Sequence, residues 1–284
     1  MDSIIVTGAK GQLGSELCRI LGRRAVPWDL PDVDLLKPDE VQKAFEAARP
    51  HAVVHAAAYT AVDRAEDEPE RCFAVNADAT ARLVDLCRDR GIPLLYVSTD
   101  YVFGGEDVRG EPYRESDPVN PQGAYAESKY RGELAVCRWE KHYIVRTCGL
   151  YGRLGEHSPG NFVETMLRLG KQGKKLRIVD DQHCTPSYVP HVARAIVFLL
   201  ENAPEGTYHV VNGGETTWFG FAQEIFRLAK LEVETEPITT QEYGAKAPRP
   251  AYSVLDTSKY HALPGAPAMP FWREALAEYL DSRP

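Results

Sequence analysis

The sequence lacks the features that would direct it to a membrane or to nucleic acid. No hydrophobic run approaches the roughly 20 residues that a membrane-spanning helix needs, and the N-terminus lacks the basic region of a signal peptide. No block of basic residues interrupts the net charge of −8, which argues against nucleic acid or an anionic membrane as a partner. We therefore expect a cytoplasmic protein.

The sequence also lacks a cysteine pattern. Its six cysteines include no Cys-x-x-Cys pair, and no histidine cluster accompanies them. Scattered cysteines of this kind are typical of reduced, mostly buried apolar residues rather than of disulfides or metal ligands. We predict no metal site.

Short β-branched, apolar segments do occur, and they alternate with helical patterns through residues 1–148. This alternation predicts an α/β fold with a Rossmann-type, doubly wound parallel sheet, and residues 1–148 would form an NAD(P)-binding domain. From residue 149 onward the pattern changes, with more loop between the elements. We predict that residues 149–284 mainly form a smaller C-terminal substrate-binding lobe, with segments that return to the main sheet.

A glycine loop links the first strand to the first helix. Gly8, Gly11 and Gly14 follow the apolar residues 3–7, and leucines and isoleucines recur at helical spacing after them. Glycines at this point allow a tight turn and the close approach of a pyrophosphate to the helix N-terminus. Asp29 ends the predicted second strand, where a carboxylate can accept hydrogen bonds from a ribose and repel a 2′-phosphate. The sequence thus predicts NADH or NADPH as cofactor, with NADH mildly favoured.

A tyrosine and a lysine four residues apart, Tyr125 and Lys129, lie near the start of a helix predicted over 123–141. Residues at this spacing share a helix face. We expect the ammonium to lower the pKa of the phenol, so that Tyr125 can exchange a proton with a substrate oxygen. Thr99, at the end of the fourth predicted strand, could hydrogen-bond the same oxygen.

Together these motifs resemble the extended short-chain dehydrogenase/reductase family, over nearly the whole chain. The more specific motifs are Ala-Val-Asp-Arg-Ala-Glu at 61–66 and Ser-Thr-Asp-Tyr-Val-Phe at 98–103. The other motifs are the glycine loop, Tyr125 with Lys129, Arg146-Thr147, Asn161-Phe162, Asp181-Gln182, Arg249-Pro250 and 270–272. The cofactor residues that the motifs and the resemblance indicate are Gly8, Gly11, Gln12, Leu13, Asp29, Asp34, Leu35, Ala58, Tyr59, Thr60, Tyr125 and Lys129.

The resemblance implies reduction of the 4-keto group of a nucleotide-linked 6-deoxyhexose, dTDP-4-dehydro-L-rhamnose being the expected substrate. Thr99, Tyr125 and Lys129 would be catalytic, and Thr99, Asp100, Asn161 and Arg249 would contact the substrate. Arg249 could bind the diphosphate or form a structural salt bridge. A homodimer is possible. The alternatives are a sugar-nucleotide epimerase of the same fold and a non-catalytic NAD(P)-binding regulatory subunit.

Two segments depart from the family pattern. Gly149 stands where the family commonly has a tryptophan that packs on the sugar, and glycine cannot supply that contact. His183 and Cys184 stand where an aromatic residue followed by glycine is frequent. Both departures lie in the predicted substrate lobe, so they concern the sugar rather than the catalytic group.

Overall fold

The computed structural model describes residues 2–105 and 109–283. Its main sheet has six parallel strands in the order β10-β5-β4-β3-β1-β2. These strands are β1 (Ile4–Thr7), β2 (Ala25–Trp28), β3 (Ala52–His55), β4 (Leu94–Thr99), β5 (His142–Thr147) and β10 (Gly206–His209). The predicted doubly wound α/β fold is confirmed. Strand β10, from the second half of the chain, lies at the edge of the main sheet beside β5.

Helices cover both faces of this sheet because its strands are buried apolar runs. The helices described are α1 (Gln12–Leu21), α2 (Pro38–Ala48), α3 (Val62–Ala65), α4 (Pro69–Phe73), α5 (Ala79–Arg90), α6 (Gly123–Val136), α7 (Phe162–Gly170), α8 (Val189–Asn202), α9 (Trp218–Leu228), α10 (Thr240–Tyr243), α11 (Ser258–His261) and α12 (Trp272–Asp281). Leucines and valines of α1 and α8 build the core on one face. Phe45 of α2 and Leu83 of α5 belong to the core on the other.

Two helices differ from the sequence prediction. The helix predicted over 123–141 ends at Val136, and residues 137–141 form turns before β5. The sequence also predicts one long helix from about Pro69 to Arg90. This helix is continuous but contains a π-helical turn at Ala74–Asp78 between α4 and α5. Such turns often occur at functional sites, because they move one side chain out of the regular helix register.

The second half has a core of its own, formed by α7, α9 and α12 around Phe221 and Trp272. Its remaining strands are short and pair in twos. They are β6 (Leu150–Tyr151) with β9 (Ser187–Tyr188), β7 (Leu176–Val179) with β12 (Thr235–Ile238), and β8 (His183–Cys184) with β11 (Thr216–Thr217). Most of these pairings involve two residues per strand, too few for a sequence pattern to reveal.

Neither a disulfide nor a membrane-spanning helix occurs among the described residues. All six cysteines are free, and Cys72, Cys87, Cys148 and Cys184 are buried. Among the described residues, no helix combines the length and apolar character needed to cross a bilayer.

Candidate active site

A cavity of about 740 Å³ lies along the carboxyl ends of the central strands. Open α/β sheets bind ligands at this edge, and the volume falls within the range usual for ligand and cofactor pockets. The predicted site residues that line the cavity are Gly8, Gly11, Gln12, Leu13, Asp29, Asp34, Leu35, Ala58, Tyr59, Thr60, Thr99, Asp100, Tyr125 and Lys129. The fold therefore brings the glycine loop and the Tyr-Lys pair to one cavity.

The geometry of the glycine loop fits a dinucleotide. Gly8 has φ +69°, and a Cβ there would lie 2.8 Å from the Ala57 backbone. A Cβ on Gly14 would collide with the Gly8 carbonyl, so this glycine is needed for close packing of α1. The helix begins at Gln12 without a side-chain cap or an acidic residue in its first turn. Its amides thus remain available to an anion such as a pyrophosphate.

The carboxylate of Asp29, which lines the cavity, is held by contacts from two parts of the chain. Its Oδ2 accepts a hydrogen bond from the Lys10 amide at 2.8 Å, and its Oδ1 lies 3.2 Å from Nδ1 of His157. His157 comes from the second half of the chain, and its own amide donates to the Lys10 carbonyl at 3.0 Å. The loop around residue 157 therefore packs against the glycine loop and fixes the acid predicted to contact ribose.

Thr99 and Tyr125 are neighbours where β4 ends and α6 begins. The Thr99 hydroxyl donates to Asp100 Oδ1 at 3.1 Å and accepts from the Tyr101 amide at 3.2 Å. The rings of Tyr101 and Tyr125 meet edge to face, with centroids 5.8 Å apart. Burial raises the pKa of Tyr125, and an interaction with the Thr99 hydroxyl partly opposes that rise.

Lys129 is buried, and its charge does not lower the pKa of Tyr125 as we expected. It is 2% exposed, its Nζ donates to the Val97 carbonyl at 2.7 Å, and Nζ lies 4.0 Å from the centre of the Tyr96 ring. Burial lowers the pKa of Lys129 to about 7, with the charge of Glu133 partly opposing. The expected lowering of the Tyr125 pKa is wrong for this structure, because desolvation of the phenolate outweighs any help from the lysine.

A buried ion pair attaches α6 to the sheet. Arg146 of β5 donates two hydrogen bonds to Glu133 of α6, at 2.9 and 2.7 Å, and Ser98 donates a third at 2.6 Å. The exposed fractions of the Arg146 and Glu133 side chains are 7% and 3%. Because Ser98 precedes Thr99, this pair fixes α6 relative to the strand end that carries the threonine.

Comparison with known proteins agrees with this geometry. The family model described as the RmlD substrate binding domain matches residues 1–283. The chain belongs to the RmlD substrate binding domain family. It is 39% identical to the spore coat polysaccharide biosynthesis protein SpsK of Bacillus subtilis, over 100% of this chain and 98% of that protein. It is 40% identical to a dTDP-4-dehydrorhamnose reductase of Streptomyces griseus, over 96% and 91% of the two chains.

A solved structure of the same kind superposes closely. The dTDP-4-dehydrorhamnose reductase of Bacillus anthracis, crystallised in complex with NADP, shares 38% identity and a TM-score of 0.93, with all of both chains covered. Membership of the RmlD substrate binding domain family confirms the predicted resemblance to the extended short-chain dehydrogenase/reductases.

Two predicted substrate residues, Asn161 and Arg249, are not among the residues that line the cavity in this RmlD family member. The Asn161 side chain caps α7 through the Glu164 amide at 2.9 Å and donates to Gln12 Oε1 at 2.9 Å. Arg249 forms a two-bond salt bridge with Asp63, each bond 2.9 Å long. The structure thus gives both side chains structural partners, and the salt bridge is the alternative that the sequence left open for Arg249.

Sequence reasoning missed three side chains that shape the cavity or its lining. Asn76, in the π-helical turn, accepts from the Tyr59 amide at 2.8 Å and donates to Ser128 at 2.9 Å, joining the loop after β3 to α6. His157 and Trp218 line the cavity from the second half. Of these three residues, Asn76 alone could have been noticed in the sequence, as an isolated asparagine within a helical pattern. His157 and Trp218 lie in segments without a motif.

Among residues 2–105 and 109–283, no group of three or more His, Cys, Asp or Glu side chains is arranged to hold a metal ion.

Proposed function

We propose that the protein reduces the 4-keto group of a nucleotide-linked 6-deoxyhexose with NAD(P)H, converting dTDP-4-dehydro-L-rhamnose into dTDP-L-rhamnose. The observation that carries this proposal is the shared cavity, in which Thr99, Tyr125 and Lys129 line the same space as the glycine loop. Relatives named dTDP-4-dehydrorhamnose reductase that match nearly the whole chain support the substrate.

The residues of this chain divide the chemistry between them. The nicotinamide supplies the hydride when it is bound. Tyr125 carries its proton near neutral pH, as any tyrosine with an ordinary or raised pKa does, and it donates that proton to the carbonyl oxygen as negative charge develops there. Thr99 donates a hydrogen bond to the same oxygen. Lys129, one helical turn further along α6, stabilises the phenolate that remains when its own amine is protonated.

Net oxidation of NADH or NADPH in the presence of dTDP-4-dehydro-L-rhamnose, made in a coupled assay, tests the function. Replacing Tyr125 with Phe should lower kcat by roughly 10²- to 10⁴-fold, the range for loss of a general acid, while cofactor binding persists. Tyr130→Phe is the matched control, because it makes the same change on the same helix outside the cavity lining. Near-normal turnover in the Tyr125 variant would contradict the assignment, and absence of net cofactor consumption by the wild type would favour an epimerase.

We also propose a mild preference for NADH over NADPH. Asp29 presents a fixed carboxylate at the end of β2, where it can accept hydrogen bonds from ribose hydroxyls and repel a 2′-phosphate. The relative crystallised with NADP indicates that the family accommodates the phosphate. The preference should therefore be a matter of degree.

Three wider expectations stay proposals. We divide the chain at residue 148, which is supported by the separate core of α7, α9 and α12. We expect a cytoplasmic location, which fractionation would test. The homodimer stays a prediction, and light scattering at assay concentrations would distinguish it from a monomer.

A further inference from the structure

Gly149 lines the cavity without contributing a side chain. Its φ of +53° lies in the left-handed region, which side chains with a Cβ rarely adopt. A Cβ at this position would lie 3.2 Å from Pro186 Cα and 3.5 Å from Cη2 of Trp218. The backbone therefore disfavours a large side chain at 149, and the edge of an indole from elsewhere in the chain borders the space.

Trp218 reaches this position from the first turn of α9. Thr217 caps the helix by accepting from the Gly220 amide at 3.0 Å, and it also donates to Asp180 at 2.5 Å. The indole packs against the Phe162 ring, with centroids 4.8 Å apart. The tryptophan is partly buried and lines the cavity. It is therefore held in place by Phe162 and remains accessible to a ligand in the cavity.

The cavity lining combines apolar and polar groups near Trp218. Gly149 borders the indole and Leu150 follows it in the chain, whereas Thr99 and Tyr125 contribute hydroxyl groups to the same cavity. A 6-deoxyhexose has a matching combination, since its ring C–H bonds and its methyl group are apolar and its hydroxyls and ketone are polar. Aromatic rings pack favourably on such apolar surfaces and contribute much of the affinity in ligand pockets.

We infer that Trp218 is the residue against which the sugar ring packs, taking the place that Gly149 leaves empty and turning the ketone toward Thr99 and Tyr125. This inference rests on the proposed function, since it assigns the sugar subsite of the same cavity. Trp218 acts as a positioning residue. Its loss should therefore raise the KM for the ketosugar more than it lowers kcat.

Binding of dTDP-glucose tests the inference without turnover, because this sugar nucleotide carries no 4-keto group. Calorimetry should show that Trp218→Leu weakens dTDP-glucose binding by about tenfold, the scale of one aromatic contact, while dTDP and NADPH bind as in the wild type. Trp218→Phe keeps a ring against Phe162 and should lose less than threefold.

Intrinsic fluorescence gives a second readout that does not depend on the leucine variant folding. In the wild type, dTDP-glucose should change the tryptophan emission more than dTDP does, and this difference should vanish in Trp218→Phe. Trp139→Phe is the matched control, because Trp139 donates to the Ile92 carbonyl before β4, outside the cavity lining. Its variant should keep the difference.

The outcomes separate this inference from the proposed function. Wild-type protein that binds neither dTDP-glucose nor the ketosugar would overturn both. Tight dTDP-glucose binding that persists in both Trp218 variants would overturn the subsite alone. An equal loss of dTDP-glucose and NADPH affinity in the leucine variant would indicate a merely structural tryptophan and would also overturn it.

Discussion

The cofactor side of the cavity, formed by the glycine loop, Asp29 and the ends of β3 and β4, is built largely from backbone. Its strands belong to one continuous parallel sheet, and its tight contacts are between main-chain atoms, as where Gly8 approaches Ala57. The side where we propose that the sugar binds, called the sugar side, is formed by residues 148–150 and Trp218 and is built from loops and two-residue strands. There the surface is determined by side chains that meet from distant parts of the sequence.

This difference has a physical reason. A pyrophosphate requires only amides and a helix N-terminus, which any sequence with the right glycines can provide. A particular sugar requires a particular shape, which a few side chains can alter without disturbing the sheet. We therefore expect substitutions to separate into those that affect folding or cofactor binding and those that change only the sugar.

The largest stability effect should come from the ion pair beneath the cofactor side. Glu133→Ala leaves Arg146 as a buried charge without its carboxylate, which should reduce the free energy of unfolding by about 3–5 kcal/mol. Asp63→Ala is the matched control, since it breaks the Asp63–Arg249 pair, in which Asp63 is 47% exposed. That loss should be about 1 kcal/mol or less. Urea unfolding of the two variants measures both losses in the free energy of unfolding. Equal losses would contradict the expected difference between the buried and the exposed ion pair.

A pH effect of intermediate size should arise from Lys129. Its pKa is lowered to about 7 in the folded protein, whereas the unfolded chain binds the proton up to an ordinary lysine pKa near 10.5. The unfolded state thus holds more protons between these values, so the lysine's contribution to stability rises with pH across that window. From pH 7 to pH 9 the gain should be about 2 kcal/mol.

Lys129→Met isolates this contribution. The difference in unfolding free energy between wild type and variant should shift in favour of the wild type as the pH rises from 7 to 9, because the variant has no amine to titrate. A difference that is constant with pH would show that the lysine keeps its charge in the folded protein.

The smallest effect should come from Asp29, whose side chain contributes to the cofactor side of the cavity. Asp29→Asn removes the charge that opposes a 2′-phosphate, so the ratio of kcat/KM for NADH to that for NADPH should fall about tenfold, equivalent to about 1.4 kcal/mol. Asp32→Asn is the control, because Asp32 is exposed on the same loop and does not line the cavity. A similar shift in both variants would point to general charge rather than to Asp29.

The strands, glycine loop and helices around the cofactor side could be predicted from the sequence because their signals are local. Strand, glycine loop and helix follow one another within residues 3–21, and Tyr125 and Lys129 share one helix face. The sequence could not predict Trp218, because nothing near Gly149 indicates that an indole 69 positions later borders the same space. It also misjudged the pKa of Tyr125, since the extent of burial depends on tertiary packing that helical spacing does not reveal.

The edge strand β10 has a consequence for how the protein is made. It pairs with β5 along the whole of Gly206–His209, yet it is synthesised after β6, α7 and α8. While the ribosome adds those elements, the nascent chain carries β5 with an unpaired edge, which can join another strand or chain. The first half cannot complete its own sheet during translation, and a chain released before residue 209 would be at risk of aggregation.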